Sequence, residues 1–191
     1  MVSVEASAPL LPRSPFAALI TPGVHGRPGQ GGLVIEDVSL RGLASVVLAA
    51  PAPFGAVRRG SATYVTTQPD QTLVVGDLGG VLDLQALDGP VTDLTGSRAI
   101  LRVSGPAWRE ALSAVLPIDL HPSAFGPGAA AATYAAHLSM LVWRADAAEA
   151  VEIAVYRSFA GALLHAVEAA AAPCGYVTRE PGTLAAPVAR T

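Results

Sequence analysis

At 191 residues, 51% of them hydrophobic and only 14% charged, the chain can bury one sizeable core and is excluded from the disordered class. Its twelve basic residues are all arginine, and a net charge of −3 argues against binding a phosphate backbone. A single cysteine, Cys174, excludes an intrachain disulfide framework and any multi-cysteine metal site.

In chain order, residues 1–32 come first, rich in proline and glycine: Pro9, Pro12, Pro15, Pro22 and Pro28, with the glycine-rich run 23–32. This composition predicts an extended arm that either lies on something or stays mobile. The start, MVSVEASAPLLPRSPF, lacks a basic segment ahead of an apolar run, so no signal peptide is expected and the cytoplasm is the expected compartment. From Leu33 the texture changes. LVIEDV and LASVVL read as strands, the second nearly all apolar and therefore buried. Residues 51–59 read as a loop. SATYVTT and TLVVGDL, joined by Gln68-Pro69-Asp70-Gln71, read as a hairpin.

Gly79-Gly80 and Asp88-Gly89-Pro90 break the chain before two further strands, VTDLT and AILRVS, which Gly96-Ser97 separates. Ser104-Gly105-Pro106 predicts a helix start, because proline in the first turn loses no hydrogen bond. Trp108, Leu112, Val115 and Leu116 then share one face of that helix. ATYAAHL and MLVWRA form another strand pair, and VEIAVYR alternates as a strand. Ser158 is placed to cap a last helix whose face carries Phe159, Leu163, Leu164 and Val167 and which ends near Pro173. The remainder, 173–191, lacks periodicity and is expected to be loose. No internal repeat is found, and strands and helices mix without β-α-β alternation. The expected class is α+β, with mainly antiparallel sheets and a few packed helices. The core domain spans 33–172 and can be divided into two small lobes, 33–90 and 91–172.

A mean hydropathy of +0.46 admits a membrane protein or a chain that hides apolar surface against partners. The longest uncharged run, 124–143, is long enough to span a bilayer but contains Gly126-Pro127-Gly128 and His137, and alanine supplies most of its apolar count. A membrane span is therefore not expected.

Motifs that carry chemistry are few. His25, His121, His137 and His165 are scattered, without H-x-x-x-H or C-x-x-C spacing. No serine sits in G-x-S-x-G. Gly76-Asp77-Leu78-Gly79-Gly80 follows a strand but departs from the dinucleotide fingerprint, so a turn is the better reading. Asp93 could hold a ligand or satisfy the Gly96-Ser97 turn. Arg98 and Arg102 share one face of their strand and could grip a carboxylate or a partner, or form a solvated edge. Asp119 and His121 could work as an acid–base pair or hold a corner by local hydrogen bonds. Arg157, just before the last helix, could bind across an interface.

Six pieces, in order and at compatible spacing, resemble the gamma subunit of heterotetrameric sarcosine oxidase. They are Arg13-Ser14-Pro15-Phe16-Ala17; Gln68-Pro69-Asp70-Gln71-Thr72-Leu73-Val74-Val75-Gly76; Thr92-Asp93-Leu94-Thr95-Gly96-Ser97-Arg98; Leu101-Arg102-Val103-Ser104-Gly105-Pro106; Leu116-Pro117-Ile118-Asp119-Leu120-His121-Pro122-Ser123-Ala124-Phe125; and Tyr156-Arg157-Ser158-Phe159-Ala160. The resemblance implies a shortened form of the folate-binding aminomethyltransferase fold. It also implies a complex that oxidatively demethylates sarcosine to glycine with FAD, FMN and NAD held by larger alpha and beta subunits, a small delta subunit, and tetrahydrofolate as one-carbon acceptor. For this chain it implies assembly and support of the alpha subunit's folate-related domain, with no catalytic, cofactor or metal residue of its own. Arg98, Arg102, His121 and Arg157 are the interface candidates. Gln71-Thr72 stands where relatives often carry an acidic residue and a tryptophan, and the arm and the 51–59 loop also differ. Sarcosine and other N-methylated amino acids therefore both stay open as substrates of the complex. The alternative is a stand-alone folate-dependent aminomethyltransferase-like enzyme or a folate-binding module, with Asp93 or Asp119 meeting the pterin. The chain is about half the length such an enzyme needs.

Overall fold

The computed structural model describes residues 13–26 and 32–179. Twelve strands and two α-helices follow one another in the order β1 (Gly23–His25), β2 (Leu33–Asp37), β3 (Arg41–Val47), β4 (Gly55–Arg59), β5 (Ala62–Gln68), β6 (Gln71–Leu78), β7 (Val91–Asp93), β8 (Arg98–Ser104), α1 (Trp108–Ser113), β9 (Ala130–Ala135), β10 (Leu138–Trp143), β11 (Ala150–Tyr156), α2 (Ala160–Ala171) and β12 (Tyr176–Thr178). They form a seven-stranded sheet, β1-β12-β2-β8-β11-β10-β9, and a five-stranded sheet, β4-β5-β6-β3-β7. Every pairing is antiparallel except that of β12 with β2. The class is α+β, as the mixed periodicities predict.

Alternation along β8 sets the layering, because successive side chains of a strand point to opposite faces. Ala99, Leu101 and Val103 face the main core, with Met140, Val142, Ile153 and Val155 of the neighbouring strands. Trp108 and Leu112 of α1, Leu116 just beyond it, and Leu163, Leu164 and Val167 of α2 close that core. Each such side chain contributes about 1.5–3 kcal/mol when fully buried, so this layer dominates stability. The opposite face is apolar only at its centre. There Ile100, Trp143 and Ala154 meet Leu43, Ala56, Val65 and Val75 of the five-stranded sheet.

The chain leaves the large sheet after β2 through a buried polar turn. Asp37, 4% exposed, accepts hydrogen bonds from the Ser14 hydroxyl and from the Ser39 N–H at 3.0 Å. The Ser39 hydroxyl oxygen accepts the Ile100 N–H at 2.9 Å, which ties the turn to β8. A buried carboxylate needs such donors, and these three contacts fix where the two sheets diverge.

Several expectations are corrected. The described part of the arm lies on the core, as one of its two readings expects, but turns at residues 15–19 before β1: Phe16 is fully buried, Ile20 is buried, and β1 pairs with β12. Residues 173–179 are likewise not loose, because Tyr176 and Thr178 alternate inward and β12 inserts between β1 and β2. Residues 1–12, 27–31 and 180–191, where the rest of the arm and tail fall, lie outside the described residues. The division at residue 90 does not follow the sheets. β2 belongs to the seven-stranded sheet because Leu33 and Ile35 complete the helix-side core, and β7 belongs to the five-stranded one through its pairing with β3. Residues 55–59 of the expected loop form an edge strand paired with β5, whose exposed Val57, Arg58 and Arg59 hide the alternation. The first helix begins at Trp108 with Ala107 in the capping position and no side-chain cap. Gly105 is required there instead: its φ is 109°, and a Cβ would stand 2.5 Å from the Gly32 carbonyl oxygen. Ser158 lies inside a 3-10 turn (Arg157–Phe159) and makes no cap bond, and Phe159 is 43% exposed, off the buried face.

Candidate functional site

Where the two sheets diverge, a cleft of about 720 Å³ opens between them. Its floor follows from strand register. Glu36 of β2 stands opposite Arg102 of β8, Arg102 opposite Glu152 of β11, and Glu152 opposite Trp143 of β10. Four residues thus form one transverse row, which runs from Glu36 and Arg102 on the less covered part of this face to Trp143, where the five-stranded sheet covers it. Opposite charges directly across antiparallel strands stabilise the pairing.

The row is braced from both ends. Arg41 of β3 donates to both oxygens of Glu152, at 3.1 and 3.0 Å, and from its Nε to the Val38 carbonyl at 2.7 Å. This fork joins the two sheets, and both side chains are nearly buried, 10% and 13% exposed, so the pair is strong and directional. Arg179, after β12, reaches the Glu36 carboxylate at 2.5 Å. Arg102 sits between the two carboxylates, 3.9 Å from each, beyond hydrogen-bond distance. The Trp143 residue is fully buried and lines the cleft, yet its indole N–H has no hydrogen-bond partner among the described residues. On the far wall Arg58 pairs with Asp77 at 2.5 Å, both exposed.

A second arginine cluster is structural. Arg144, 3% exposed, donates to the carbonyls of Ala150, Phe125 and Ala148 at 3.2, 3.3 and 2.7 Å. Arg109 lies 4.2 Å over the Trp108 ring and donates to the carbonyls of Leu120 and Phe125. Burial, and then the neighbouring Arg144 charge, lower the Arg109 pKa, with Glu149 opposing. Glu149 accepts the Trp108 indole N–H at 3.0 Å. Together these groups pin the 120–128 segment over the end of the main core.

At the other end of the β8 face, Arg98 stacks 3.8 Å over the ring of Tyr156, a cation–π contact. Arg157 donates to the carbonyls of Arg13 at 2.6 Å and Gly96 at 3.4 Å, clasping the N-terminal segment to the turn before β8. A shallower hollow of about 730 Å³ lies here, with Arg13, Tyr156 and Arg157 in its wall.

The sequence candidates therefore separate. Arg98 and Arg102 share a face, but Ile100 lies between them and their surroundings differ. Arg102 joins the inter-sheet cleft, while Arg98 joins Arg157 at the opposite end. His121 is exposed, its ring Nδ1 2.7 Å from the Ser123 hydroxyl, and its backbone N–H donates to the Asp119 carboxylate at 2.8 Å. This is a locally bonded corner, not an acid–base pair. Asp93 accepts the Thr95 N–H at 2.8 Å, and that bond lowers its pKa. Neither Asp93 nor Asp119 lines either cleft. Glu36, Arg41, Glu152 and Trp143 escaped sequence reasoning, although Glu36 and Glu152 each interrupt an apolar strand. Among the described residues, no three His, Cys, Asp or Glu side chains gather as a metal would need, and no helix is long and apolar enough to cross a membrane. The Gly76–Gly80 segment ends β6 and makes a turn leading to a 3-10 turn at Leu84–Ala86.

Two sheets with helices on one outer face and a cleft between them define an aminomethyltransferase-like fold. The glycine cleavage system aminomethyltransferase T of Bartonella henselae superposes with a TM-score of 0.50 at 15% identity, over 73% of this chain and 46% of that one. The heterotetrameric sarcosine oxidase of Corynebacterium sp. U-96, solved in complex with pyrrole 2-carboxylate, contains a chain that superposes with a TM-score of 0.70 at 23% identity, over 84% of this chain and 95% of that one. At such identities the likeness establishes the fold. The model of the sarcosine oxidase, gamma subunit family matches residues 44–173, more than half of the sequence, and the chain belongs to that family. The sarcosine oxidase subunit gamma of Arthrobacter sp. is 38% identical over 81 residues, 42% of this chain and 39% of the relative. That of Corynebacterium sp. (strain P-1) is 37% identical over 82 residues, 40% of each chain. The matches span about two-fifths of the length of these curated relatives.

Proposed function

We propose that this chain is a non-catalytic accessory subunit of a heterotetrameric, flavin-dependent complex that oxidatively demethylates sarcosine or a related N-methyl amino acid in the cytoplasm. The family match over 44–173, which takes in both helices and most strands of the two sheets, carries this reading. In it, FAD, FMN, NAD and tetrahydrofolate belong to the larger alpha and beta subunits, with a small delta subunit completing the assembly.

Of the four interface candidates, Arg98 and Arg157 support the reading best. Neither they nor Arg13 enter any ion pair among the described residues. Beside them Tyr156 is 51% exposed and Phe159 43% exposed. A cationic patch with exposed aromatic side chains, on a chain of net charge −3, suits an acidic partner surface, and arginine and tyrosine are typical interface anchors. His121 and Arg102 are less suited, one tied into its own corner and the other recessed in the cleft.

Co-expression with the larger subunits provides the test. Complete complex should demethylate sarcosine or a close analogue and lose that activity, or its solubility, when this chain is omitted. The double variant Arg98→Glu/Arg157→Glu should weaken association at least tenfold (about 1.4 kcal/mol) while melting like the parent. Full activity without the chain, or demethylation by the chain alone, would overturn the proposal.

A further inference from the structure

In the transverse row of the inter-sheet cleft, the described residues leave one guanidinium without a hydrogen bond. Three guanidinium groups, Arg41, Arg102 and Arg179, share two carboxylates, Glu36 and Glu152. Arg41 occupies both Glu152 oxygens, and Arg179 takes one Glu36 oxygen. The remaining lining charges are engaged elsewhere: Asp37 by Ser14 and Ser39, Asp77 by Arg58, and Asp146 by the Ala148 N–H. Arg102 alone among the cleft's arginines makes no hydrogen bond within the described residues, and its side chain is 33% exposed. A guanidinium held in place by flanking carboxylates, with its donor fork unused, is a preorganised receptor for a carboxylate.

The second observation is independent of charge. Trp143 is fully buried, and its indole N–H lacks an acceptor among the described residues. A buried donor without a partner costs about 1–3 kcal/mol, so native structures rarely keep one without a compensating ligand or water. Trp143 stands in the same transverse row as Arg102, with Glu152 between them. Strands lie about 4.8 Å apart, so two strand spacings separate the backbones of Arg102 and Trp143 by roughly 10 Å. Five arginines and five carboxylates line the cleft as a whole, and this formally balanced lining disfavours a polyanion such as a nucleotide.

We propose that the inter-sheet cleft is a binding site for a small monocarboxylate: its carboxylate seats on Arg102, and an acceptor further along the ligand takes the Trp143 N–H. Glu152, between them, can accept an N–H from the ligand's middle. The site belongs to this chain and is separate from the Arg98–Arg157 patch, so it stands or falls apart from the assembly reading.

The two tryptophans make the test direct. In the full chain labelled with 15N-tryptophan, the Trp143→Phe variant assigns the indole signals, and 4-acetamidobutyrate is titrated as a probe that carries a carboxylate and an amide carbonyl. The Trp143 signal should shift saturably, while that of Trp108, already bonded to Glu149, stays in place. Arg102→Gln should weaken the probe at least tenfold with the Trp108 signal unmoved, which certifies an intact fold. Arg102→Lys should recover only part of the affinity, because the fork is lost. The neutral 4-acetamidobutanamide should bind at least tenfold more weakly than the acid. No saturable Trp143 shift, or equal shifts with the amide or in Arg102→Gln, would overturn the proposal and leave the indole satisfied by water.

Discussion

The two faces of the seven-stranded sheet are built from the same strands and come out opposite in character. Toward the helices, Leu101, Val103, Ile153 and Val155 are at most 1% exposed and meet only apolar neighbours. Toward the five-stranded sheet, the alternate positions carry Arg98, Arg102, Glu36 and Glu152, with Ile100, Ala154, Trp143 and Leu141 among the apolar residues between them. The helix face is covered from end to end, so packing decides each residue there. The other face is covered only at its centre, and charge is kept where the second sheet turns away. Apolar packing therefore concentrates on one face, and the groups of the proposed carboxylate site lie on the other.

The largest test of that division is Trp108→Ala on the helix face. Loss of a fully buried indole should cost about 3–5 kcal/mol, read as a lower denaturant midpoint with the slope little changed. Glu152→Gln probes the charged face. It removes the carboxylate that Arg41 grips across the sheets, and should cost about 2–3 kcal/mol, less than the tryptophan because both partners keep some contact with water.

Smaller still is a pH effect at the seam that ties β1 to β12. Burial, and then the nearby Glu168, raise the pKa of Tyr176, which stacks on His25 with ring centroids 5.1 Å apart. The folded state therefore holds the phenol proton more tightly than the unfolded chain. That contribution is fully present below the ordinary tyrosine pKa of about 10 and is lost as pH rises through the higher folded value. Melting curves should fall more steeply above about pH 10 for the parent chain than for Tyr176→Phe. Arg58→Ala, which breaks an exposed pair with Asp77, should change stability by less than about 0.5 kcal/mol.

How legible this was in the sequence depended on the same division. The β5–β6 hairpin, the strands LVIEDV, AILRVS and VEIAVYR, and the inward faces of both helices were readable because apolar residues recur there at the period of the element. β4 was missed because an edge strand with Val57, Arg58 and Arg59 exposed has no buried stripe to reveal it. β12 was missed because three residues are too few to show alternation, and its place between β1 and β2 depends on contacts more than 140 residues apart. Of the cleft, only Arg102 was singled out. Glu36, Glu152 and Trp143 lie 66, 50 and 41 residues from it, and only strand register aligns them. The corner at Asp119 and His121 and the turn at Asp93 were readable because their hydrogen bonds span two residues.

In the proposed role this chain works as one part of a larger flavoprotein. Tagging the chain in its native host and measuring the mass and visible spectrum of what co-purifies examines that role without any substitution. A hetero-oligomer with larger subunits and flavin absorbance is expected. A colourless species at the 19.3 kDa mass of the chain alone, free of partners under conditions where sarcosine is being consumed, would contradict it.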